Sequence, residues 1–422
     1  MSQTATPPCH SRHHTLAICV FCLLLATLLA TCDDQYEISA DELPHTGMTR
    51  LTITTPGNTK IDRSWIAHTQ FTITETTDQT DTIGEMSIKG RGNTTWTLPK
   101  RPYTIQLSEP CQLMGMEQGN AWALLANYHD PTLLRNDVAL YMSREMSLLD
   151  YTPDSRFVNL VINDSYNGIY QICELPEAYI THDNKDEILL EFDAKAHYHD
   201  VTFHITRTLH PINIHYPEVN EGDDNWRNIS QWIQTAEDAL FAENFTDSIQ
   251  GYRKYFDVTS LVDWYLINEI AKNKDALFYT SCFLHGHLDG KIAMGPVWDF
   301  DMAFGNYKYK NNRKFINDPE GFHIKSAPWY GRLFQDPAFV ALVKRRFNDF
   351  FAHREMIYQH IDQMASLLSL SISLENKRWG QLCDNSSSTT KVENEYTRQA
   401  EKLKAWIEKR MQWLKQNLEL TS

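Results

Sequence analysis

Gly295-Pro296-Val297-Trp298-Asp299-Phe300-Asp301-Met302-Ala303-Phe304-Gly305-Asn306 sets two carboxylates two residues apart inside a largely apolar run. Burying such a pair is costly unless a cation or hydrogen-bond donors satisfy it. Oxygen ligands of this kind suit a hard divalent ion, and magnesium takes one or two carboxylates together with substrate phosphates. Asp299 and Asp301 are therefore candidate metal ligands. The alternative for each is a structural aspartate bonded to backbone amides.

Upstream, an apolar helical pattern beginning near Val258 runs through Asn268-Glu269-Ile270-Ala271 and lapses at Lys272-Asn273-Lys274-Asp275. The lapse puts Asp275 at a helix-to-loop exit, where a carboxylate can point into a cleft or serve as a cap or turn residue. Further back, Lys89-Gly90-Arg91-Gly92-Asn93-Thr94-Thr95-Trp96 and Leu98-Pro99-Lys100-Arg101-Pro102-Tyr103 read as a glycine-bearing turn that enters a strand through basic residues. Glycine lets a backbone approach a phosphate closely, and a strand lysine can reach its oxygens. A hairpin with a solvated rim uses the same residue types.

Around these stretches the pattern changes once along the chain. Residues 49–107 are rich in Thr and Ile with period-two runs over 70–75 and 103–107, punctuated by Gly and Pro, which predicts a β-rich unit. Leu133, Leu134, Val138, Tyr141 and Met142 recur at helical spacing within 132–148, and strands are expected over 157–162 and 168–173. After Asn225 helices dominate, over 228–243, 258–270, 338–351 and 392–418. The last of them puts Leu403, Trp406, Ile407, Met411 and Leu414 on one face, a core stripe. The expected fold is α+β, with a β-rich unit over 49–175 and a helical unit over 176–422 that carries a β-insertion at about 188–217.

With 42% hydrophobic residues the chain can bury a real core, and its formal net charge of -15 argues against a nucleic-acid partner, which would be held by Lys and Arg. Arg12, His13 and His14 precede an apolar run from Leu16 to Ala30 that ends at Leu29-Ala30-Thr31-Cys32. This is the shape of a signal peptide over 1–31, too short to span a membrane comfortably. The small residues before Cys32 resemble the lipobox of bacterial lipoproteins. Cys32 is then the expected lipidation site, residues 32–48 a tether, and the lipid the sole membrane contact; a plain secretory signal cut elsewhere is the alternative. Asp33 and Asp34 after the cysteine fit a Bacteroidetes-type lipoprotein of the cell envelope, exported to the outer membrane and its surface. Cys111, Cys173, Cys282 and Cys383 stand singly with no CxxC spacing, which argues against a zinc site. His197, His199, His204, His210 and His215 raise the idea of a transition-metal site, but no carboxylate or cysteine stands at matching spacing, and they read as solvated or packed.

Several of these motifs fall in one order: Arg91-Gly92-Asn93 with Pro99-Lys100-Arg101-Pro102-Tyr103, Leu134-Arg135-Asn136, Asn167-Gly168-Ile169-Tyr170-Gln171-Ile172-Cys173-Glu174, Asp275, and Trp298-Asp299-Phe300-Asp301. In that order, from about Thr49 to the terminal helix, the chain resembles the CotH family of spore coat protein H-like atypical kinases. The resemblance implies a two-lobed, heavily modified protein-kinase fold that binds ATP and Mg²⁺ (or Mn²⁺) between the lobes. It gives Lys100 the phosphates, Arg91, Asn93 and Glu174 further nucleotide contacts, Asp275 the catalytic role, and Asp299 the metal, with Asp301 beside it. Arg135 and Asn136 would organise the cleft. The implied activity is phosphate transfer to hydroxyls of secreted or surface proteins; a surface scaffold without turnover is the alternative. Thr280, followed by Ser281, stands where better-known kinases have a metal-binding asparagine, and a neutral hydroxyl is a poorer anchor for a second ion.

Overall fold

Alternation of apolar and polar residues builds the first half. In the computed structural model, which describes residues 37–419 apart from 76–80, 181–185 and 198–199, the strands β1 (Arg50–Thr54), β2 (Ile66–Thr74), β3 (Asp81–Gly90), β4 (Tyr103–Gln112), β5 (Gln118–Leu125), β6 (Ser155–Ile162) and β7 (Ser165–Glu174) close into a barrel. Its order is β1-β2-β3-β4-β5-β7-β6, antiparallel throughout except where β1 meets β6. Leu51, Ile53, Phe71, Ile73, Met86, Ile88, Ile105, Trp122 and Leu160 fill the inside, as period-two strands require. The signal-like segment, Cys32 and His199 lie outside the described residues.

One helix, α1 (Arg135–Met146), interrupts the barrel strands, as its spacing predicts. It starts later than the apolar pattern because Asp130 folds the preceding turn. Its carboxylate accepts Thr132 N at 2.9 Å and Arg135 N at 2.8 Å. The buried side chains Val138, Ala139 and Met142 join the core of the second half.

That half contains its own sheet. β8 (Glu187–Phe192), β9 (Thr202–Phe203), β10 (Ile212–Tyr216), β11 (Cys282–His287) and β12 (Ala293–Met294) pair in the order β12-β11-β8-β10-β9. The expected insertion is thus only part of a sheet whose remaining strands arrive about seventy residues later, a non-local pairing that periodicity does not reveal. The helices are α2 (Asp224–Phe241), α3 (Val258–Ala271), α4 (Arg313–Asn317), α5 (Pro328–Leu333), α6 (Pro337–Ala352), α7 (Arg354–Ser369), α8 (Ile372–Trp379) and α9 (Thr389–Glu419). α2 begins ahead of its apolar pattern because Asp223 caps it, accepting Trp226 N at 2.7 Å. α3 is buried on every face from Ser260 to Ala271, so it runs through the middle of the helical core rather than along its surface. Among the described residues no helix is long and apolar enough to cross a membrane.

Two buried ion pairs fasten distant parts of the chain. Lys100 Nζ lies 2.6 Å from Glu375 Oε1 and also donates to Ile169 O, while Ile169 N donates to Glu375 Oε2 at 2.7 Å, so β7 is bound to α8. Gly168 makes room for this junction: at φ +105 it adopts a conformation that side chains disfavour, and a Cβ there would sit 2.3 Å from Glu375 Oε2. Burial pulls the Lys100 ammonium down and pushes the Glu375 carboxyl up, each opposed by the other's charge. In the second pair, Arg410 of α9 meets Glu269 of α3 at 2.6 Å, both side chains almost wholly enclosed. Glu269 also accepts His323 N and Lys325 N, and Arg410 donates to Pro319 O and Gly321 O. The apolar stripe of α9 packs beside it, with Leu403, Ile407, Met411 and Leu414 buried.

Breaking a buried pair by removing one partner costs about 3–5 kcal/mol. Arg410→Ala is expected to lower stability by that amount, read as a shifted urea midpoint with unchanged slope.

Candidate functional site

Where the barrel meets the second half, a cleft of about 870 Å³ opens between the end of β3, the second sheet and the loops around Asp275 and Asp299. The turn after β3 forms one wall. Gly90 leaves no room for a Cβ because the Trp96 ring folds against it, and Gly92 takes φ +80. Arg91 N is fixed by Pro102 O at 3.1 Å, and its guanidinium stands 5.5 Å from the Trp298 ring centre. Its Nη1 is sealed from solvent and has no hydrogen-bond partner. Burial lowers its proton affinity, and the nearby charges of Glu177, Cys173, Asp299 and Glu191 oppose that. An arginine keeps its charge in such a place, which leaves a cation facing the cleft.

The floor is carboxylate. α3 ends at Lys272 in the left-handed conformation, with the cap N–H bonded to Asn268 O and Glu269 O. The chain then turns so that Asn273 Oδ1 accepts Asp275 N at 3.3 Å, and the Asp275 carboxylate lies 3.4 Å from Lys274 Nζ. Asp299 sits at φ +63. The loop that carries it is held by α1: Phe300 N donates to Asn136 Oδ1, and Arg135 Nε donates to Ala303 O at 3.1 Å. Asn306 Nδ2 ties Asp301 O and His129 O together at 2.7 and 2.9 Å.

This crowding shifts both carboxyls. Asp299 opens onto the cleft, yet protein surrounds it elsewhere; burial and then the Asp275 charge push it up to about 6, against Lys195 and Arg91. Asp301 is buried, and burial followed by Asp299, Asp130 and Asp275 raises it well above the ordinary carboxylate range.

The second sheet supplies the opposite wall. His215 Nε2 lies 2.8 Å from Glu191 and its Nδ1 3.2 Å from Glu177. Burial alone would pull His215 down, but hydrogen bonds to Glu177 and Glu191 outweigh it and push the imidazole up to about 10. Glu191 Oε1 accepts Ser281 N at 2.8 Å, and Asp193 Oδ1 accepts the Thr280 hydroxyl at 2.9 Å. Thr280, which stands where better-known kinases have an asparagine, is thus engaged with Asp193.

Of the residues singled out from the sequence, the structure brings Arg91, Asn93, Asp275, Asp299 and Asp301 to one cleft. Lys100 stands aside, paired with Glu375, where it borders a small cavity of about 110 Å³ together with Asn136, Asp299 and Asp301. Glu174 ends β7 with its carboxylate on Asp154 N at 2.9 Å and the Tyr151 hydroxyl at 3.2 Å, beside the cleft rather than lining it. Of the histidines, His215 is taken up by its two glutamates and His197 lines the cleft. Among the described residues no three His, Cys, Asp or Glu side chains are grouped so as to hold a metal by themselves. Sequence reasoning missed Glu177, Glu191, Asp193 and Lys195 as cleft residues; the only signal was the acidic alternation Glu191-Phe192-Asp193 within the expected β-insertion.

The class so defined is a mixed α+β protein, sheet-rich in its first half and helical in its second, with a charged cleft at the junction. The family described as CotH kinase protein matches residues 88–414, more than three quarters of the chain, and the chain belongs to that family. A comparison with curated protein sequences gives no match.

The raised Asp299 has a consequence for stability. The folded state binds its proton more tightly than the unfolded chain does, so its contribution is most favourable below about pH 4 and is lost as pH rises through 6. Asp299→Asn removes that loss. In thermal melts the variant and the parent are expected to agree near pH 4 and to diverge by pH 7, the variant being the more stable.

Proposed function

We propose that this cleft binds ATP together with Mg²⁺ or Mn²⁺ and transfers the terminal phosphate to a hydroxyl of a secreted or cell-surface protein, in a two-lobed arrangement of the protein-kinase kind. The reading is carried by one observation: Arg91, one of whose guanidinium N–H groups lacks a partner, shares a nucleotide-sized cleft with three carboxylates, two of them raised by burial and by neighbouring carboxylates. The residues fit a metal–nucleotide pair. Asp299 and Asp301 would hold a divalent ion, which would offset their negative charge, and substrate phosphates would supply the donors that the side chains alone do not. When bound, the metal neutralises charge on the transferring phosphoryl group.

The chain's own residues do the positioning. Arg91 offers its guanidinium to a phosphate oxygen, and Asn93 stands at the rim of the same turn. Asp275 orients the acceptor hydroxyl and takes its proton, with the Lys274 ammonium beside it. Glu191 and Asp193 hold Ser281 and Thr280, which keeps the Asp275 segment against the second sheet. In this reading the phosphate-facing cation is Arg91, while Lys100 positions α8 and Glu174 braces the end of β7. The Leu29-Ala30-Thr31-Cys32 segment supports export, with a lipid on Cys32 as the membrane anchor and acceptors outside the cytoplasm. A second reading, nucleotide binding by a surface scaffold without turnover, is favoured by the Thr280 hydroxyl being tied to Asp193 in place of a metal-binding amide.

Transfer of labelled γ-phosphate from Mg-ATP by the mature chain, to itself and to an envelope protein extract, separates the two. Label is expected with the parent and lost with Asp275→Ala and Asp299→Ala; metal-dependent binding with no label would select the scaffold. Arg91→Ala is expected to weaken ATP binding by about tenfold to a hundredfold, the worth of a hydrogen bond to a charged group.

A further inference from the structure

Residues 302–317 hold four cations, Lys308, Lys310, Arg313 and Lys314, and no acidic residue, in a chain whose formal net charge is -15. The stretch 308–315 is exposed without a break, and among the described residues none of the four cations makes an ion pair. The loop is nevertheless fixed at its base. Asn317 accepts Tyr307 N at 2.7 Å and donates to Tyr307 O at 3.0 Å, Lys272 Nζ donates to Phe315 O at 2.7 Å, and Trp406 Nε1 donates to Asn317 O at 2.7 Å. The cations therefore stand out from an anchored platform.

That platform borders the cleft. Tyr307 and Tyr309 line it, and the barrel contributes Arg63, Trp65 and Lys89 to the same opening, with Lys89 Nζ 4.5 Å from the Trp65 ring. Trp65, Tyr309 and Phe315 are each more than 40% exposed, so the basic mouth also offers aromatic faces.

Resting on the reading of the cleft as a phosphotransfer site, we propose that its protein acceptor is acidic, a hydroxyl residue set within a run of Asp and Glu and gripped between the 308–314 loop and the Arg63–Lys89 rim. The rest of this acidic molecule repels such a segment, so the basic mouth both attracts it and selects where it lands. Arg63 and Lys89 line the cleft itself, and Tyr307 and Tyr309 bring the basic loop to its edge, which suits a peptide led into the cleft better than a membrane surface.

The test measures binding without turnover. Short fluorescent serine peptides, one flanked by Glu and one by Lys, are titrated against the full mature chain at low and high salt, alongside vesicles of anionic phospholipid. The Glu-flanked peptide is expected to bind more tightly and to weaken with salt. The combined variant Lys310→Glu, Arg313→Glu, Lys314→Glu should weaken it by about tenfold or more, with ATP binding and melting temperature unchanged. The neutral set Lys310→Gln, Arg313→Gln, Lys314→Gln should fall between. Equal or tighter binding of the Lys-flanked peptide, or indifference to loop reversal, overturns the proposal. Vesicle binding tighter than peptide binding and lost on the same reversal overturns it in favour of a membrane role. Salt-sensitive Glu-peptide binding in a protein that transfers no phosphate keeps the docking surface and removes only the phosphotransfer reading.

Discussion

Asp299 and Asp301 repel one another on the floor of the cleft, and much of the surrounding chain is arranged to keep them there. Three separate elements contribute. Asn136 and Arg135 reach from α1 to the backbone between the pair and just beyond it, Asn306 clamps Asp301 O to the β5–α1 loop, and Asn273 extends from the end of α3 toward Asp299 O. Polar side chains directed at main-chain groups fix the loop without neutralising it. The charge is left for whatever enters the cleft.

The opposite wall works differently. His215, lifted to about 10, is a cation across the neutral range, and it stands between Glu177 at the exit from the barrel and Glu191 on the second sheet. It thus joins the connection between the two halves to the sheet that presents Asp193 and Ser281. The carboxylates of this wall already have partners in His215, Ser281 and Thr280, so a ligand meets Arg91 and the floor aspartates as the groups left open.

How much of this was legible varied with the range of the interaction. The barrel strands and α1 follow from local alternation and spacing, and Asp275, Asp299 and Asp301 stood out because carboxylates at a helix exit or in an apolar run demand an explanation. The five-stranded sheet did not show, because β11 pairs with β8 across ninety-odd intervening residues, and no periodicity encodes that. The same distance hid the cleft role of Glu191 and Asp193, which look like ordinary strand carboxylates until Thr280 and Ser281 are brought against them. The family resemblance gives Lys100 the phosphates, whereas the structure shows it paired with Glu375. Its carboxylate partner lies 275 positions away in α8, beyond the reach of any local pattern.

That pairing also sets an order on the making of the molecule. The barrel is complete in sequence at Glu174, but a lysine enclosed between its strands and α8 has no counter-ion until Glu375 has been synthesised, and Gly168 keeps open the space that the late helix fills. A chain that stops before α8 leaves Lys100 without its carboxylate and this side of β7 uncovered, so the junction is made only once the late helix is in place. The last fifty residues thus complete packing that the first half leaves prepared, and the barrel's outer face is finished by the part of the chain made last.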